Sequence, residues 1–229
     1  MAKKKEEMQQ TQETVQGQEP AAETAAPAPA GKKEMNPVDI FRDALMKTKR
    51  EGMADLLTFI QDIGFLDAPC SGGNHLAKRG GLLEHSVNVL KYAEKIGVAL
   101  LGGAEYNKIQ DSVVIAALLH DLGKCGDYKK PMYVENILKS GKPSEAKPFK
   151  RNPELLAVPH AVRSIKLATL FIDLTEDEEW AILCHDGLYD FMYKDLKGKE
   201  TWLQLIIHWA DMWSSHIIEG GSDKEGGAE

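Results

Sequence analysis

Six side chains able to bind a metal ion lie beside apolar runs of this sequence. Four are histidines and two are aspartates: His85, His120, Asp121, His160, His185 and Asp211. The stretch "ALLHDLGK" at 117–124 sets His120 and Asp121 directly against three apolar residues. Removing an imidazole and a carboxylate from water is costly unless each finds a partner. A metal ion is such a partner, so the pair predicts a buried metal site.

The donor set also predicts the kind and number of metal ions. Imidazole and carboxylate ligands together suit Mn, Fe, Co, Ni or Zn, whereas Mg prefers more oxygen. Two ions bridged by Asp121 and a hydroxide would use all six ligands and leave positions for substrate oxygens. We therefore expect two divalent transition metal ions (Mn, Fe, Co or Ni), with Mg or Zn as further options. A lone histidine is more often a hydrogen-bonded residue than a ligand, so the prediction rests on the whole set.

Three further polar residues have spacings that suit substrate binding. Lys124 follows Asp121 by three residues, and we expect both to act in catalysis, with the Lys124 ammonium on a phosphate oxygen or, alternatively, at a helix C-terminus. Arg163 follows His160 by three, which places both on one helix face, so its guanidinium would clamp a phosphate or form a surface ion pair. His75 precedes a double glycine and would donate to substrate or hold its own loop.

Composition limits the partners. The chain has 229 residues, a formal charge of -7 and a pI near 5.6, which argues against a broad surface for duplex nucleic acid. Its three cysteines have no C-x-x-C spacing and are typical of reduced thiols in the cytoplasm. The longest apolar run, "VVIAALL", is far too short to span a bilayer. We expect a cytoplasmic protein with a small phosphorylated substrate and no membrane partner.

The chain divides into one domain and two tails. Residues 1–36 contain no Leu, Ile, Phe, Trp or Tyr, so they cannot bury enough apolar surface to offset the entropy of ordering. We predict disorder there and again in residues 220–229. The intervening residues 37–219 should form a single domain.

Helical signals dominate the domain, and strand-like alternation is scarce. Asn36 and Pro37 suit the start of a first helical region that Gly52 divides, and Thr175 with Glu178 has the spacing of a capping box. The apolar spacing predicts further helices over about 82–99, 111–122, 160–171, 175–185 and 201–219. The fold class is therefore all-α, a helical bundle. The long Pro- and Lys-rich segment between residues 126 and 159 predicts a loop or short hairpin that acts as a flap over the site.

The order H…HD…H…H…D, with "GGLLEHS" around the first histidine and "LLHDLGK" around the pair, resembles the HD-domain metal-dependent phosphohydrolases. The resemblance covers about residues 37–218. The stretch "NHLAKRGGLLEHSVNV" is similar to HD-type 3′→5′ exonucleases. Later spacings, through "HAVRS" and "TEDEEWAILCHDG", are closer to small stand-alone HD hydrolases of bacteria and phages.

This resemblance implies a single all-α HD domain that hydrolyses phosphoesters with a metal-bound hydroxide. It implies that a first metal is held by His85, His120, Asp121 and Asp211. Asp121 would also touch a second metal, and His160 and His185 match the histidines of the two-metal branch. The chain departs from the family pattern at Pro159 and Ala161, and at Asp186, which follows the fourth histidine where a hydrophobic residue is common.

Several functions remain open within this resemblance. We expect a hydrolase of a nucleotide or related small phosphoester. The alternatives are a 3′→5′ exonuclease on single-stranded nucleic acid, a diiron HD-type oxygenase, and a nucleotide sensor without catalysis. The sequence does not distinguish a phosphomonoesterase from a phosphodiesterase, and it predicts no oligomeric state.

Overall fold

The computed structural model describes residues 35–187 and 193–220. Most of both predicted tails, residues 1–34 and 221–229, lies outside the described residues, so their disorder stays a prediction. The described chain is mainly helical, with one small two-stranded sheet, which confirms the predicted all-α class. No helix in these two ranges is long and apolar enough to cross a membrane.

The described residues form eight α-helices and two strands. They are α1 (Pro37–Lys47), α2 (Met53–Asp62), α3 (Gly81–Leu101), α4 (Gly103–Leu119), β1 (Tyr133–Glu135), β2 (Phe149–Arg151), α5 (His160–Ala168), α6 (Glu176–Leu183), α7 (Tyr193–Leu196) and α8 (Trp202–Trp213). Short 3₁₀ turns cover Phe65–Asp67 and Leu122–Cys125, and a π-helical turn, Ser214–Ile218, continues α8.

The first two helices begin as the sequence predicts. The Asn36 side chain accepts a hydrogen bond from the backbone N–H of Val38 at 3.0 Å, and Pro37 occupies the first helical position. Gly52 separates α1 from α2 with a φ of 79°, and a Cβ there would collide with the carbonyl oxygen of Phe171. Only glycine combines that backbone angle with so close an approach.

The core lies between α3, α4 and α8. Helix α3 packs against α1, α4 and α8, and α4 also contacts α6. Every residue of α4 from Val113 to Leu119 is buried, as expected for a central helix that is apolar all round. The apolar spacing predicts that this helix starts at about 111, whereas α4 begins at Gly103. The first two turns of α4 are mostly polar and exposed, so they carry no apolar periodicity from which the true start could be predicted.

A hairpin occupies the long segment between α4 and α5. Strands β1 and β2 pair antiparallel, with Tyr133 opposite Arg151. The backbone N–H of Phe149 donates to the carbonyl oxygen of Gly72 at 3.0 Å, which ties the hairpin to the loop before α3. The length and composition of this segment predict a loop or a short hairpin, and the structure contains the hairpin.

The C-terminal helix departs from its predicted form. The apolar spacing predicts one helix over 201–219, whereas the α-helical ladder ends at Trp213 and a π turn follows. Ser214 and Ser215 donate their hydroxyls to carbonyls one turn back, those of Ala210 and Asp211. Such side-chain bonds compete with the backbone ladder and help to bend or widen a helix.

An ion pair fixes α6 to the N-terminal helices. Both oxygens of Glu178, which is fully buried, face the Arg50 guanidinium at 2.7 and 2.9 Å, and Ser112 donates to the same carboxylate at 2.8 Å. Glu178 also forms the predicted capping box with Thr175. Burial tends to raise the pKa of Glu178, but the bonds from Arg50 and Thr175 outweigh it and lower that pKa.

We predict that Glu178→Ala lowers the free energy of unfolding by about 3 kcal/mol, because it leaves a partly buried guanidinium unpaired. Glu179→Ala, at an exposed position of the same helix, should change it by less than about 0.5 kcal/mol. Urea unfolding at neutral pH measures both. Since the pKa of Glu178 is lowered by folding, its contribution is present above its ordinary value of 4.5 and is lost as the pH falls further. An equal effect of both variants would contradict this assignment.

Candidate metal centre

Each predicted ligand lies at or near a helix end. His85 lies near the start of α3, His120 directly after α4, Asp121 before the 3₁₀ turn, His160 at the first position of α5, His185 two residues after α6, and Asp211 in the last turn of α8. Helices whose ends meet in this way bring donors from distant parts of the chain together. The structure places all six side chains in one group.

A glycine allows the turn that carries Asp121 to reach α5. The backbone N–H of Gly123 donates to Ser164 Oγ at 2.8 Å. A Cβ at Gly123 would collide with the carbonyl oxygen of His160. The glycine of "HDLGK" is therefore required by the close packing that sets Asp121 beside His160.

Four donors form a first cluster. His85 Nε2 lies 3.3 Å from His120 Nε2 and 3.1 Å from Asp211 Oδ1. Asp121 Oδ2 lies 3.5 Å from the Nε2 atom of each of these histidines. His85 and His120 are fully buried, while the Asp211 side chain is 14% exposed.

Four donors form a second cluster on the other side of the same carboxylate. His160 Nε2 and His185 Nε2 are 3.0 Å apart, and Asp121 Oδ1 lies 3.2 and 3.6 Å from them. Asp186 also faces this pair, with Oδ2 3.6 Å from His160 Nε2 and Oδ1 3.6 Å from His185 Nε2. Asp121 therefore presents one oxygen to each cluster.

The donor atoms fit divalent metal ions. Metal bonds of about 2.0–2.2 Å hold neighbouring ligand atoms about 2.9–3.6 Å apart in tetrahedral or octahedral shells, and the donor distances given above for the two clusters fall in this range. Within the described part of the chain, the groups His85, His120, Asp211 and His160, His185, Asp186 each have donor atoms within 4.8 Å of one another. Asp121 Oδ2 pairs with the Lys124 ammonium at 2.6 Å, whereas the buried Oδ1 accepts no hydrogen bond, an arrangement that is costly without a cation beside it.

Backbone carbonyls orient two of the imidazoles. His120 Nδ1 lies 2.9 Å from the Ala117 oxygen, and His185 Nδ1 lies 2.7 Å from the Ile182 oxygen. A carbonyl only accepts, so in each ring Nδ1 carries the proton and donates. In the neutral ring Nε2 then carries a lone pair directed into the clusters, as metal binding requires.

His85 is oriented by a carboxylate that the sequence analysis missed. His85 Nδ1 lies 3.0 and 3.1 Å from the two oxygens of Glu219, and Asn88 donates to the same carboxylate at 3.0 Å. Glu219 follows Asp211 by eight residues, which a regular α-helix would separate by about 80° around its axis. The π turn between them advances less per residue and returns Glu219 to the side of the site. No pattern in the sequence predicts this π turn or the resulting position of Glu219.

Burial disfavours the charged form of the carboxylates, yet the surroundings stabilise it. The Lys124 ammonium, 2.6 Å from Oδ2, and the His120 ring hold the pKa of Asp121 well below its ordinary value. The pKa of Asp211 is also lowered, by His85 against burial. In His160, by contrast, the charged form is disfavoured, because burial lowers its pKa to about 4. At neutral pH the site therefore presents ionised carboxylates and a neutral His160.

The three predicted substrate-binding residues have different surroundings. Besides its ion pair with Asp121, Lys124 Nζ lies 3.9 Å from Cys70 Sγ. His75 Nε2 lies 3.2 Å from the same sulfur, its ring centre is 5.0 Å from that of His85, and burial followed by the charges of His85 and Lys124 lowers its pKa to about 4. Both residues therefore border the first cluster.

Arg163 has partners other than the surface ion pair considered as the alternative. It is buried, its Nη2 donates to the Leu156 carbonyl oxygen at 3.2 Å, and its Nε lies 3.9 Å from Asp127 Oδ2. The contact with Leu156 holds the segment between β2 and α5, and the contact with Asp127 holds the segment before β1. Its Nη1 has no hydrogen-bond partner among the described residues, so the predicted phosphate contact stays a prediction.

Comparison with known proteins identifies the family. The model of the HD domain matches residues 82–211, more than half of the chain. The chain therefore belongs to the HD-domain family of metal-dependent phosphohydrolases. All six predicted ligands lie within the match, whereas His75 and Glu219 lie outside it. No curated protein and no solved structure gives a significant match.

We predict that Glu219→Gln weakens metal binding at the first cluster by about 10- to 100-fold, because the neutral amide no longer raises the basicity of His85. Glu84→Gln is the matched control, since Glu84 adjoins His85 in the chain but pairs with Lys78 at the surface. Calorimetric titration with Mn²⁺ measures both affinities. Unchanged affinity in Glu219→Gln would show that Glu219 does not act on His85.

Proposed function

We propose that this chain hydrolyses a phosphoester of a nucleotide or a related small molecule with two divalent transition metal ions. The first ion would be held by His85, His120, Asp211 and Asp121 Oδ2. The second would be held by His160, His185 and Asp121 Oδ1. The observation that carries the proposal is the division of the two Asp121 oxygens between two histidine clusters.

The residues suit phosphoryl chemistry. Divalent metals in these positions supply polarisation of phosphoryl oxygens and lower the pKa of bound water. Asp121 holds the two ligand clusters in a fixed relation, and the tautomers of His120 and His185 keep their lone pairs available. Lys124 adds a positive charge beside Asp121, where a phosphate oxygen would lie.

The exposure of the ligands indicates the side from which substrate enters. His85, His120 and His185 are buried almost completely, whereas the side chain of His160 is 22% exposed and that of Asp186 is 37% exposed. The second cluster therefore faces the opening. A substrate approaching from this side reaches His160 and Asp186 before the deeper first cluster.

The hairpin supports a role as flap. Burial raises the pKa of the Tyr133 phenol and the Lys124 charge lowers it, so β1 lies close to Lys124. Residues 133–151 include five basic and two acidic residues. A positive hairpin near Lys124 attracts phosphorylated substrates, which agrees with a nucleotide and also with a single strand of nucleic acid.

A substrate panel tests the proposed function. The metal-loaded full chain is offered nucleoside mono-, di- and triphosphates, dinucleotides and single-stranded oligonucleotides, and phosphate or nucleotide release is followed. We expect turnover of the small phosphoesters. Cleavage of oligonucleotides alone would support the exonuclease, and iron-dependent O₂ consumption with an organic substrate would support the oxygenase.

We predict that Asp121→Ala abolishes turnover and leaves less than one tightly bound ion per chain, because it removes the ligand shared by both clusters. Asp177→Ala, which changes an exposed aspartate of α6, should retain both properties. Elemental analysis and the phosphoester assay measure the outcome. Full activity in Asp121→Ala would refute the site assignment.

We predict opposite effects of Lys124→Gln on metal and on substrate. The ammonium competes with cations for Asp121 Oδ2, so its removal should tighten metal binding. A charged hydrogen bond to phosphate contributes about 1.5–3 kcal/mol, so kcat/KM should fall by about 10- to 100-fold. Lys129→Gln, at an exposed position of the flap segment, provides the control. A fall in metal affinity together with kcat/KM would instead indicate a structural role for Lys124.

A further inference from the structure

Asp186 lies at the open edge of the centre and has no role in the ligand set that the family resemblance implies. Its two carboxylate oxygens diverge toward two different imidazoles, with Oδ1 3.6 Å from His185 Nε2 and Oδ2 3.6 Å from His160 Nε2. Among the described residues no lysine or arginine lies within 4.0 Å of this carboxylate. Within the described ranges, the ion-pair partners of Asp186 are these two histidines.

These contacts are not ordinary hydrogen bonds. Both distances exceed the usual range of about 2.7–3.2 Å for an N–H···O bond. The His185 ring donates through Nδ1 to the Ile182 carbonyl oxygen, so in the neutral ring Nε2 has no proton to offer Asp186. A lone pair and a carboxylate oxygen that face each other repel unless a cation lies between them.

We propose that Asp186 is a protein ligand of the second metal ion, an inference that rests on the two-metal centre of the proposed function. The second site then consists of His160, His185, Asp186 and Asp121 Oδ1. The first consists of His85, His120, Asp211 and Asp121 Oδ2. Each ion thus receives two imidazoles, one carboxylate of its own and one oxygen of the shared carboxylate.

This matched composition has a chemical consequence. A second site with His160, His185 and Asp121 alone would have one carboxylate to balance a divalent charge, and that carboxylate is shared. Asp186 supplies the missing negative charge and an oxygen donor, which favours Mn²⁺, Fe²⁺, Co²⁺ or Ni²⁺ over softer ions. Both sites are then suited to the same class of metal.

The full-length chain and its Asp186→Asn variant test the proposal without reference to activity. Asparagine keeps the size of the side chain and removes its charge. Each protein is titrated with Mn²⁺ by calorimetry, and the retained metal is counted by elemental analysis after gel filtration. Asp177→Asn on the exposed face of α6 is the control, and thermal melting of the metal-free proteins confirms that the variants fold.

We expect two ions in the wild type and in Asp177→Asn. In Asp186→Asn the first ion should keep its affinity while the affinity for the second falls at least tenfold, and Asp186→Glu should restore part of it. Two ions of unchanged affinity in Asp186→Asn would overturn the assignment of Asp186 and leave the two-metal centre standing. A wild type that binds one ion at saturating Mn²⁺ would overturn the two-metal centre, and the role of Asp186 with it.

Discussion

The buried carboxylate of Asp121 is the constraint around which the rest of the molecule is arranged. Its two oxygens lie among four imidazoles and one ammonium; Oδ2 pairs with the Lys124 ammonium at 2.6 Å, and Oδ1 accepts no hydrogen bond. An ionised carboxylate in such a position destabilises the fold unless positive charge surrounds it. The convergence of the helix ends on Asp121 supplies this positive charge from Lys124 and sets four imidazoles around the carboxylate, so the candidate metal centre and the fold depend on the same contacts.

The scaffold meets this constraint with helix ends rather than helix faces. The apolar faces of α3, α4 and α8 form the core, while residues at their ends and at those of α5 and α6 point to the carboxylate. Backbone carbonyls near two of these ends, at Ala117 and Ile182, accept the imidazole protons. These two imidazoles are thus oriented by carbonyls from the last turn of a helix, which have no hydrogen-bond partner within the helix itself.

Much of this arrangement could be predicted from the sequence, because polar residues beside apolar runs, caps and glycines are local signals. Asn36, Gly52 and Thr175 acted as predicted, and the six candidate ligands lie together. The position of Glu219 could not be predicted, because it depends on a change of helix type that spacing does not encode. Asp186 departs from the family pattern in the sequence, but its distance from His160 and His185 depends on how α5 and the end of α6 pack together, which the sequence alone does not give.

The π turn after α8 has a further implication for how this chain tolerates change in length. Removing one residue from Ser214–Ile218 would allow regular α-helical winding. Glu219 would then follow Asp211 by seven residues and stay within about 20° of it around the helix axis, on the side of His85. A single-codon deletion there would thus spare both the scaffold and the contact of Glu219 with His85, whereas regular α-helical winding of the chain at its present length would turn Glu219 about 80° away.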